Sequence, residues 1–240
     1  ARATLIVAGD LGSLDVARIA GDLFGSWTAP AAAATARPID DRGRTGGRTI
    51  RIVHRPGSVQ TEIRIGHPGL PRRIADFHAV SVMSAILGGL FNSRLNMRLR
   101  EEKGYTYGAG AGFDLRRAAG PFAARAAVNT EVTVPAIVEF LNELTRMRDE
   151  PVTAAELTAA RDYLIGVFPL RFETAGAVGG AIGGLVVHGL SVQELVSYRE
   201  RIEAVDGARA VAGEPRPVEC VVAGPAHASC DRRRRARKNR

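Results

Sequence analysis

The sequence predicts an α+β fold, in which helices pack on one face of a mainly antiparallel sheet. Two observations predict this class. Runs that alternate apolar and polar residues lie within residues 48–66, 105–129 and 218–224, and runs with helical spacing of apolar residues lie between them. The order strands, helices, strands, helices, strand favours a helical layer on a sheet over regularly alternating βαβ units.

Residues 1–29 are predicted to be the last strand and helix of a preceding homologous domain. Residues 3–9, ATLIVAG, form a short apolar run that is typical of a buried strand. They resemble VECVVAG at 218–224, which closes the main unit. A helical period follows, with apolar residues between 16 and 23 on one face. Residues 30–47 are rich in Ala, Pro, Gly and charge, and therefore predict a linker.

The main unit is predicted to span residues 48–224. Its first strands are residues 48–54 and 59–66, in which isoleucines alternate with charged residues, as in half-buried strands. A helix is predicted over 77–90. A second helix begins at Asn92 or Ser93, both good N-caps, and ends at Gly104.

The second half of the unit is predicted to contain a strand pair and several helices. The strands lie at about 105–114 and 120–129. Thr153 and Glu156 form a capping-box signal that predicts the start of a helix. Further helices are predicted at about 134–148, 174–188 and 192–204.

The net charge of +8 does not predict a nucleic-acid-binding protein. Residues 231–240 hold seven Arg or Lys and one Asp, which leaves +2 for the first 230 residues. No aromatic residue among these basic residues could stack on bases. We interpret residues 225–240 as a basic, disordered tail and expect no nucleic-acid partner.

The sequence reveals no metal site and no membrane span. Its two cysteines and five histidines are scattered, without the H-x-x-E-H or C-x-x-C spacing of a zinc site. No eighteen consecutive residues are apolar, and the first residues lack the pattern of a signal peptide. We therefore expect neither metal ligands nor a membrane-spanning helix in this chain.

A cluster of arginines marks the helix predicted at 92–103. Leu95 and Leu99 lie one turn apart and are expected to face the core. Arg100 lies at the edge of that apolar face, in the last turn, where a cation interacts favourably with the helix dipole.

The other two arginines of the cluster have a simpler interpretation. Arg94 and Arg98 form a stripe beside the apolar face. We interpret them as surface charges that pair with Glu101 and Glu102.

Glycine alternates with other residues along the strand predicted at 105–114. A regular strand would direct one set of side chains to the same side: Tyr105, Tyr107, Ala109, Ala111 and Phe113. The other side would be almost bare, since it carries Thr106 and three glycines. Either a ligand or another backbone approaches closely there, and tight packing of a helix is an equal alternative.

These motifs together resemble the C-terminal part of the pitrilysin or insulinase-like zinc metallopeptidases, also called inverzincins. The resemblance rests on ILGGLFNSRLNMRLREEKGYTYGAGAGF, RPGSVQTEIRIG, VNTEV and EPVTAAELTAARDYLIG, in a match over about residues 3–224. It implies a pitrilysin-like domain of the LuxS/peptidase metalloenzyme type. Relatives include mitochondrial processing peptidase and the core subunits of the respiratory bc complex.

The resemblance implies that Arg100 and Tyr107 reach across to a zinc site on another domain. Tyr105 is the alternative tyrosine if the strand register differs by two, and Gly108, Gly110 and Tyr105 are expected to contact the peptide. A tyrosine hydroxyl can stabilise the negative oxygen that forms when water attacks a peptide carbonyl. An arginine offers fixed planar donors to carbonyls of the bound peptide.

The family's zinc ligands and general-base glutamate are missing from this sequence. The resemblance therefore implies half of an endopeptidase, inactive alone, with the zinc supplied by an N-terminal domain or a separate subunit. The alternative is a non-catalytic structural or interaction subunit related to processing-peptidase and core proteins. The resemblance also suggests a bacterial periplasmic or cytoplasmic location, without deciding between them.

Overall fold

The structure is a computed structural model that describes residues 3–28 and 49–207, and the backbone of 219–224. The predicted linker at 30–47 and the predicted basic tail at 225–240 lie outside the described residues. The predicted boundary between a preceding domain and the main unit remains a prediction.

Five strands form a single sheet. They are β1 (Thr49–His54), β2 (Gln60–Pro68), β3 (Thr106–Phe113), β4 (Pro121–Asn129) and β5 (Glu219–Gly224). Their order across the sheet is β1-β5-β2-β4-β3, so β1 and β3 lie at the two edges. Only the β1–β5 pair is parallel, and the other three pairs are antiparallel. The predicted mainly antiparallel sheet is confirmed.

Eight α-helices are described, and two of them continue into π-helical turns. They are α1 (Val16–Phe24), α2 (Phe77–Ser84, continued by Ala85–Gly89), α3 (Arg94–Asn96, continued by Met97–Glu102), α4 (Thr133–Asp149), α5 (Ala154–Val167), α6 (Ala175–His188), α7 (Gln193–Val196) and α8 (Tyr198–Glu203). Short 3₁₀ turns precede α4 and follow α5. The predicted helices are confirmed, except that α7 and α8 replace one helix over 192–204.

The core lies between one face of the sheet and the helices. Ile63 and Ile65 are at most 1% exposed, while Arg64 between them points to solvent. The alternate residues of β4, Phe122, Ala124, Ala126 and Val128, are buried beside them. Phe140 of α4 is fully buried in the same cluster. The period-two burial of β2 and β4 thus produces the predicted sheet with helices on one face.

Residues 3–9 form no strand with any described part of the chain, and their place in a preceding domain stays a prediction. The half-buried character predicted for the strand at 48–54 is wrong. β1 does form, but it is exposed along its whole length, including Ile50 and Ile52. Alternation within a strand shows which residues share a face, but whether that face is covered depends on elements elsewhere in the chain.

Arg94 is not the surface charge that its position on the helix predicts. Its side chain is 7% exposed, and its Nε and Nη2 atoms donate to the carboxylate of Glu156 at 2.6 and 3.0 Å. Glu156 also closes the confirmed capping box of α5 with Thr153. One carboxylate therefore ties the α3 helix to the start of α5. Arg98, in contrast, pairs with Glu102 as predicted and also with Glu139.

A close backbone contact joins the end of α2 to β3. A Cβ added at Gly88 would overlap the backbone nitrogen of Ala111 and lie 2.9 Å from the carbonyl carbon of Gly110. Glycine is therefore the residue that lets this helix end lie directly against the strand. Of the alternatives for the bare side of the glycine-rich strand, tight packing of a helix therefore applies at Gly110 and Ala111.

Gly88→Ala is expected to lower the free energy of unfolding by about 1–3 kcal/mol, because the new methyl group would have to displace the backbone of Gly110 and Ala111 and the Cβ of Ala111, none of which can rotate away. Gly180→Ala is the matched control, since a Cβ there meets no atom within 4 Å. In mid-helix it should stabilise by up to about 1 kcal/mol. Urea unfolding followed by circular dichroism measures both; equal effects at the two glycines would contradict this packing.

A buried histidine gives the fold a pH dependence. His78 on α2 is 6% exposed, its ring centroid lies 5.7 Å from that of Tyr198, and none of the described residues forms a hydrogen bond with its Nε2. Burial lowers the pKa of His78, Arg201 and Arg72 lower it further, and Glu194 opposes them. The folded state therefore favours the neutral ring.

Stability should fall as the pH drops below about 6.5, the ordinary histidine value, because the unfolded chain then binds a proton that the folded chain resists. The loss should continue until the pH passes the lowered pKa of His78 in the folded state. His78→Phe should reduce the slope of unfolding free energy between pH 7.5 and 5.5. Identical slopes for the wild type and the variant would show that another group controls this range.

No single helix among the described residues has the length and apolar character needed to cross a membrane. One bent pair, 154–172 with 175–188, meets that test of length and composition when its two parts are taken together.

Candidate functional site

The helix that carries Arg100 is anchored by its apolar side. Leu95 and Leu99 are 0% exposed, as the sequence predicts. The helix ends at Gly104, whose φ of 63° is a left-handed conformation that favours glycine. Arg100 lies in the π-helical turn before this end, with its side chain 29% exposed. The core thus fixes the backbone, while the guanidinium remains at the surface.

The guanidinium of Arg100 lies beside two aromatic rings. Its Cζ atom is 4.4 Å from the ring centroid of Phe91 and 5.2 Å from that of Tyr107. Its Nε atom is 3.3 Å from the carboxylate of Glu101. Each cation–π contact at an exposed site contributes about 0.5–1 kcal/mol. These contacts bring together the two residues, Arg100 and Tyr107, that the resemblance implies.

A β-bulge controls the direction of Tyr107. Thr106 pairs with Val128 and Ala109 pairs with Ala126, so β3 has one residue more than β4 between these pairs. An extra residue changes which face the preceding side chains point to. Tyr107 is consequently 89% exposed, whereas Ala109 is buried. The prediction that both share one face is wrong, because it assumes a regular strand.

Tyr105 differs from Tyr107 in its surroundings. It follows Gly104 directly and packs against the core, as a partly buried residue. Its backbone amide donates to the carbonyl of Leu99 at 2.9 Å, and its own carbonyl accepts from the amide of Asn129 at 3.3 Å. Tyr105 therefore offers less free surface than Tyr107, although both line the same end of the sheet.

The glycines of β3 lie beside the helix end. Gly110 lies next to Gly88, and the amide of Ala109 donates to Asn96 Oδ1 at 2.8 Å. Asn96 Nδ2 donates in turn to the carbonyl of Leu90 at 3.0 Å. Part of this edge of the sheet is therefore already hydrogen-bonded within the chain. Gly108 is more open, with Asn96 Oδ1 at 3.8 Å from the position of an added Cβ.

Two residues of the site were missed by sequence reasoning. Phe91 is 66% exposed and stacks under Arg100, and Asn96 braces the helix against β3. The sequence signal for Phe91 is weak, because an aromatic residue after Gly-Gly-Leu is equally typical of a buried core position. Asn96 lies one turn before Arg100 on the same helix, where a polar side chain is expected to face solvent.

Potential metal ligands are not clustered in the described part of the chain. No group of three or more His, Cys, Asp or Glu side chains within 3–28 and 49–207 could bind a metal ion. The groups that this site offers to a ligand are the Arg100 guanidinium, the Tyr107 hydroxyl and backbone groups. Such groups bind carbonyl and carboxylate oxygens and stabilise negative charge on them.

Comparisons with known proteins agree with this fold. A family model described as the peptidase M16 inactive domain matches residues 1–164. Among curated proteins, a search found no significant match. Three solved structures are similar to this chain. The M16 inactive domain from Pseudomonas fluorescens has 24% identity and a TM-score of 0.73, and a protease from Helicobacter pylori has 20% identity and a TM-score of 0.81. A zinc protease homologue from Bordetella pertussis Tohama I has 17% identity and a TM-score of 0.59.

The matched regions differ in extent. The Pseudomonas match covers 83% of this chain and 48% of the other, and the Helicobacter match covers 91% and 54%. The Bordetella match covers 72% and 98%. The chain therefore spans about half the length of the first two structures, and at these identities the likeness shows the fold alone.

The family model covers more than half of the chain and includes the Arg100–Tyr107 region. The resemblance seen in the sequence is thereby confirmed at the level of the family. The chain belongs to the peptidase M16 family, as a member that carries its inactive domain.

Proposed function

We propose that this chain is the arginine- and tyrosine-bearing half of a zinc-dependent endopeptidase. It binds an extended peptide and stabilises the transition state of hydrolysis at a zinc site that a separate domain or subunit supplies. The observation that carries the proposal is the pairing of Arg100 with Tyr107, whose ring is 89% exposed and lies 5.2 Å from the guanidinium. An exposed tyrosine held beside a cation is suited to meet a ligand from outside the chain.

Each residue has a separate role in this proposal. The Tyr107 hydroxyl donates a hydrogen bond to the carbonyl oxygen of the scissile peptide as that oxygen becomes negative. A donor of this kind lowers the barrier by about 3–4 kcal/mol. Arg100 binds a neighbouring carbonyl of the peptide through its planar donors and keeps it in place. Phe91 and Glu101 hold the guanidinium in position.

We assign the zinc to the partner, because no cluster of three or more His, Cys, Asp or Glu side chains among the described residues could hold it. Zinc supplies the Lewis acid that activates the attacking water in the partner's site. The chain contributes donors that are already oriented when the two halves meet. Alone, it is expected to hydrolyse no peptide.

The surface of α1 supports a neighbouring domain that precedes the main unit. None of its described residues is fully buried, although Val16, Ile19 and Ala20 are partly covered. Leu14, Leu23 and Trp27, at and beside the helix, are each more than 60% exposed. Three large apolar side chains in one short region favour a covering partner. We assign residues 1–29 to the edge of that domain.

The proposal is tested by joining the two halves. The chain would be produced alone and together with the H-x-x-E-H-bearing segment encoded upstream or in a neighbouring reading frame, here called the assembled enzyme. Cleavage of unstructured peptides is expected only for the assembled enzyme, and it should stop on zinc removal with a chelator. Equal cleavage by the zinc-bearing segment without this chain would contradict the proposal.

The non-catalytic alternative predicts a different result in the same experiment. A structural subunit would bind its partner without any gain in peptide cleavage. Absence of an H-x-x-E-H segment near this coding sequence would also favour that alternative.

A further inference from the structure

We infer that the end of the sheet beside Tyr107 is a subsite for one uncharged side chain of the bound peptide. This inference rests on the proposed function and adds a preference that the Arg100–Tyr107 pair does not explain. The subsite is a pocket of about 230 Å³ between the first residues of β2 and β3 and the last residue of β4. Val59, Gln60, Tyr105, Tyr107 and Asn129 form its walls, which we call the Tyr107 pocket.

The size of the Tyr107 pocket suits a single side chain. Pockets that bind whole drug-sized molecules usually exceed about 300 Å³. A smaller recess that is open to solvent can accept one side chain while the peptide backbone remains outside it. Because Tyr107 belongs to both the pocket wall and the Arg100 contact, the side chain would come from a residue next to the carbonyl that Tyr107 contacts.

The lining of the Tyr107 pocket favours an uncharged ligand. None of its lining residues carries a charge. Val59 is 82% exposed and Tyr107 is 89% exposed, so an entering apolar side chain would remove apolar surface from water on both. A charged side chain would lose hydration there, and no lining residue of the pocket supplies a counter-charge. Leucine and phenylalanine are therefore expected to bind better than lysine or aspartate.

Gln60 is a polar lining residue of the pocket whose side chain can be changed without disturbing the fold. Its carboxamide makes no hydrogen bond with any described residue. Asn129 Oδ1, in contrast, accepts from the amide of Glu131 at 3.0 Å, and Thr106 Oγ1 donates to the carbonyl of Ala127 at 2.7 Å. The charge of the pocket can thus be changed at Gln60 without breaking a hydrogen bond of the fold.

The test is a change of charge at Gln60 in the assembled enzyme. Unstructured peptides that are identical except for Leu, Phe, Lys or Asp at one position near the cleaved bond would be compared by kcat/KM. For the wild type, Leu and Phe should exceed Lys and Asp at one position. Gln60→Glu should raise the Lys-to-Asp ratio at that position by about tenfold. Gln193→Glu makes the same chemical change on an exposed residue of α7 and should leave the ratio unchanged.

The outcomes separate the subsite from the proposed function. If Tyr107→Phe slows cleavage but Gln60→Glu leaves every Lys-to-Asp ratio unchanged, the subsite is overturned and the proposed function stands. An equal shift of the Lys-to-Asp ratio in Gln193→Glu also overturns the subsite, because the overall electrostatic field of the protein would then explain the shift. If no assembled enzyme cleaves any peptide, both inferences are overturned.

Discussion

Tyr107→Phe is expected to lower kcat of the assembled enzyme by about 10²–10³-fold, with little change in KM. The phenylalanine ring keeps the contact with Arg100 but loses the hydroxyl that donates to the developing oxyanion. An interaction made mainly in the transition state affects kcat, whereas uniform binding affects KM. Steady-state hydrolysis of one unstructured peptide, at equal zinc content, measures both parameters.

The sequence offers a matched control for this substitution. Tyr163 on α5 is 49% exposed and lies outside the site, so Tyr163→Phe removes the same hydroxyl from a different surface. It should leave kcat and KM unchanged. A kcat for Tyr107→Phe within twofold of the wild type would remove Tyr107 from the proposed machinery. Tyr105→Phe would then decide whether the neighbouring tyrosine has the role.

Arg94→Ala is expected to lower the free energy of unfolding by about 2–3 kcal/mol. The substitution leaves the Glu156 carboxylate beside α5 without the guanidinium that binds both of its oxygens. The Glu156 side chain is 29% exposed and keeps its hydrogen bonds from Thr153, so the loss should lie below the roughly 3–5 kcal/mol of a fully buried pair. The ion pair with Arg94 and the hydrogen bond from Thr153 hold the pKa of Glu156 at about 2.

That pKa also sets the pH range of the effect. The folded-state pKa of Glu156 lies below its ordinary value of 4.5, so the pair stabilises the fold above about pH 4.5. The contribution is lost as the pH falls towards 2, where the folded protein also binds the proton. The difference between wild type and Arg94→Ala should therefore be full at pH 7 and smaller below pH 4.

Arg199→Ala is the control for this substitution. Arg199 pairs with Glu203 at 2.9 Å, but their side chains are 72% and 50% exposed. Exposed pairs of this kind contribute less than about 1 kcal/mol. Urea unfolding by circular dichroism should separate the two variants clearly. If Arg94→Ala costs no more than Arg199→Ala, the Arg94–Glu156 pair does not hold α3 to α5.

Local patterns predicted most of the fold for physical reasons that act over a few residues. The capping box at Thr153, the glycine end at Gly104 and the alternation of Ile63 with Ile65 depend on neighbours within a turn or a strand. Each has one favourable geometry, so the sequence alone indicates it. The covering of β1, in contrast, depends on residues far along the chain.

The candidate site also combines a feature that the local sequence predicts with features that depend on distant residues. The position of Arg100 at the edge of an apolar helix face could be predicted from spacing. The bulge that turns Tyr107 outward could not, because a register shift arises from pairing with β4 and leaves no mark in the local alternation. The partner of Arg94 was missed for a similar reason, since Glu156 is 62 residues away in sequence.

The central claim is that this chain stabilises the transition state at a site completed by another domain. The most direct test is the affinity of the assembled enzyme for a phosphinic peptide, a tetrahedral analogue of that state, compared with its affinity for the matched substrate peptide. Tyr107→Phe should weaken analogue binding about as much as it lowers kcat/KM, with substrate binding nearly unchanged. Equal affinities of the wild type and Tyr107→Phe for the analogue would contradict the account.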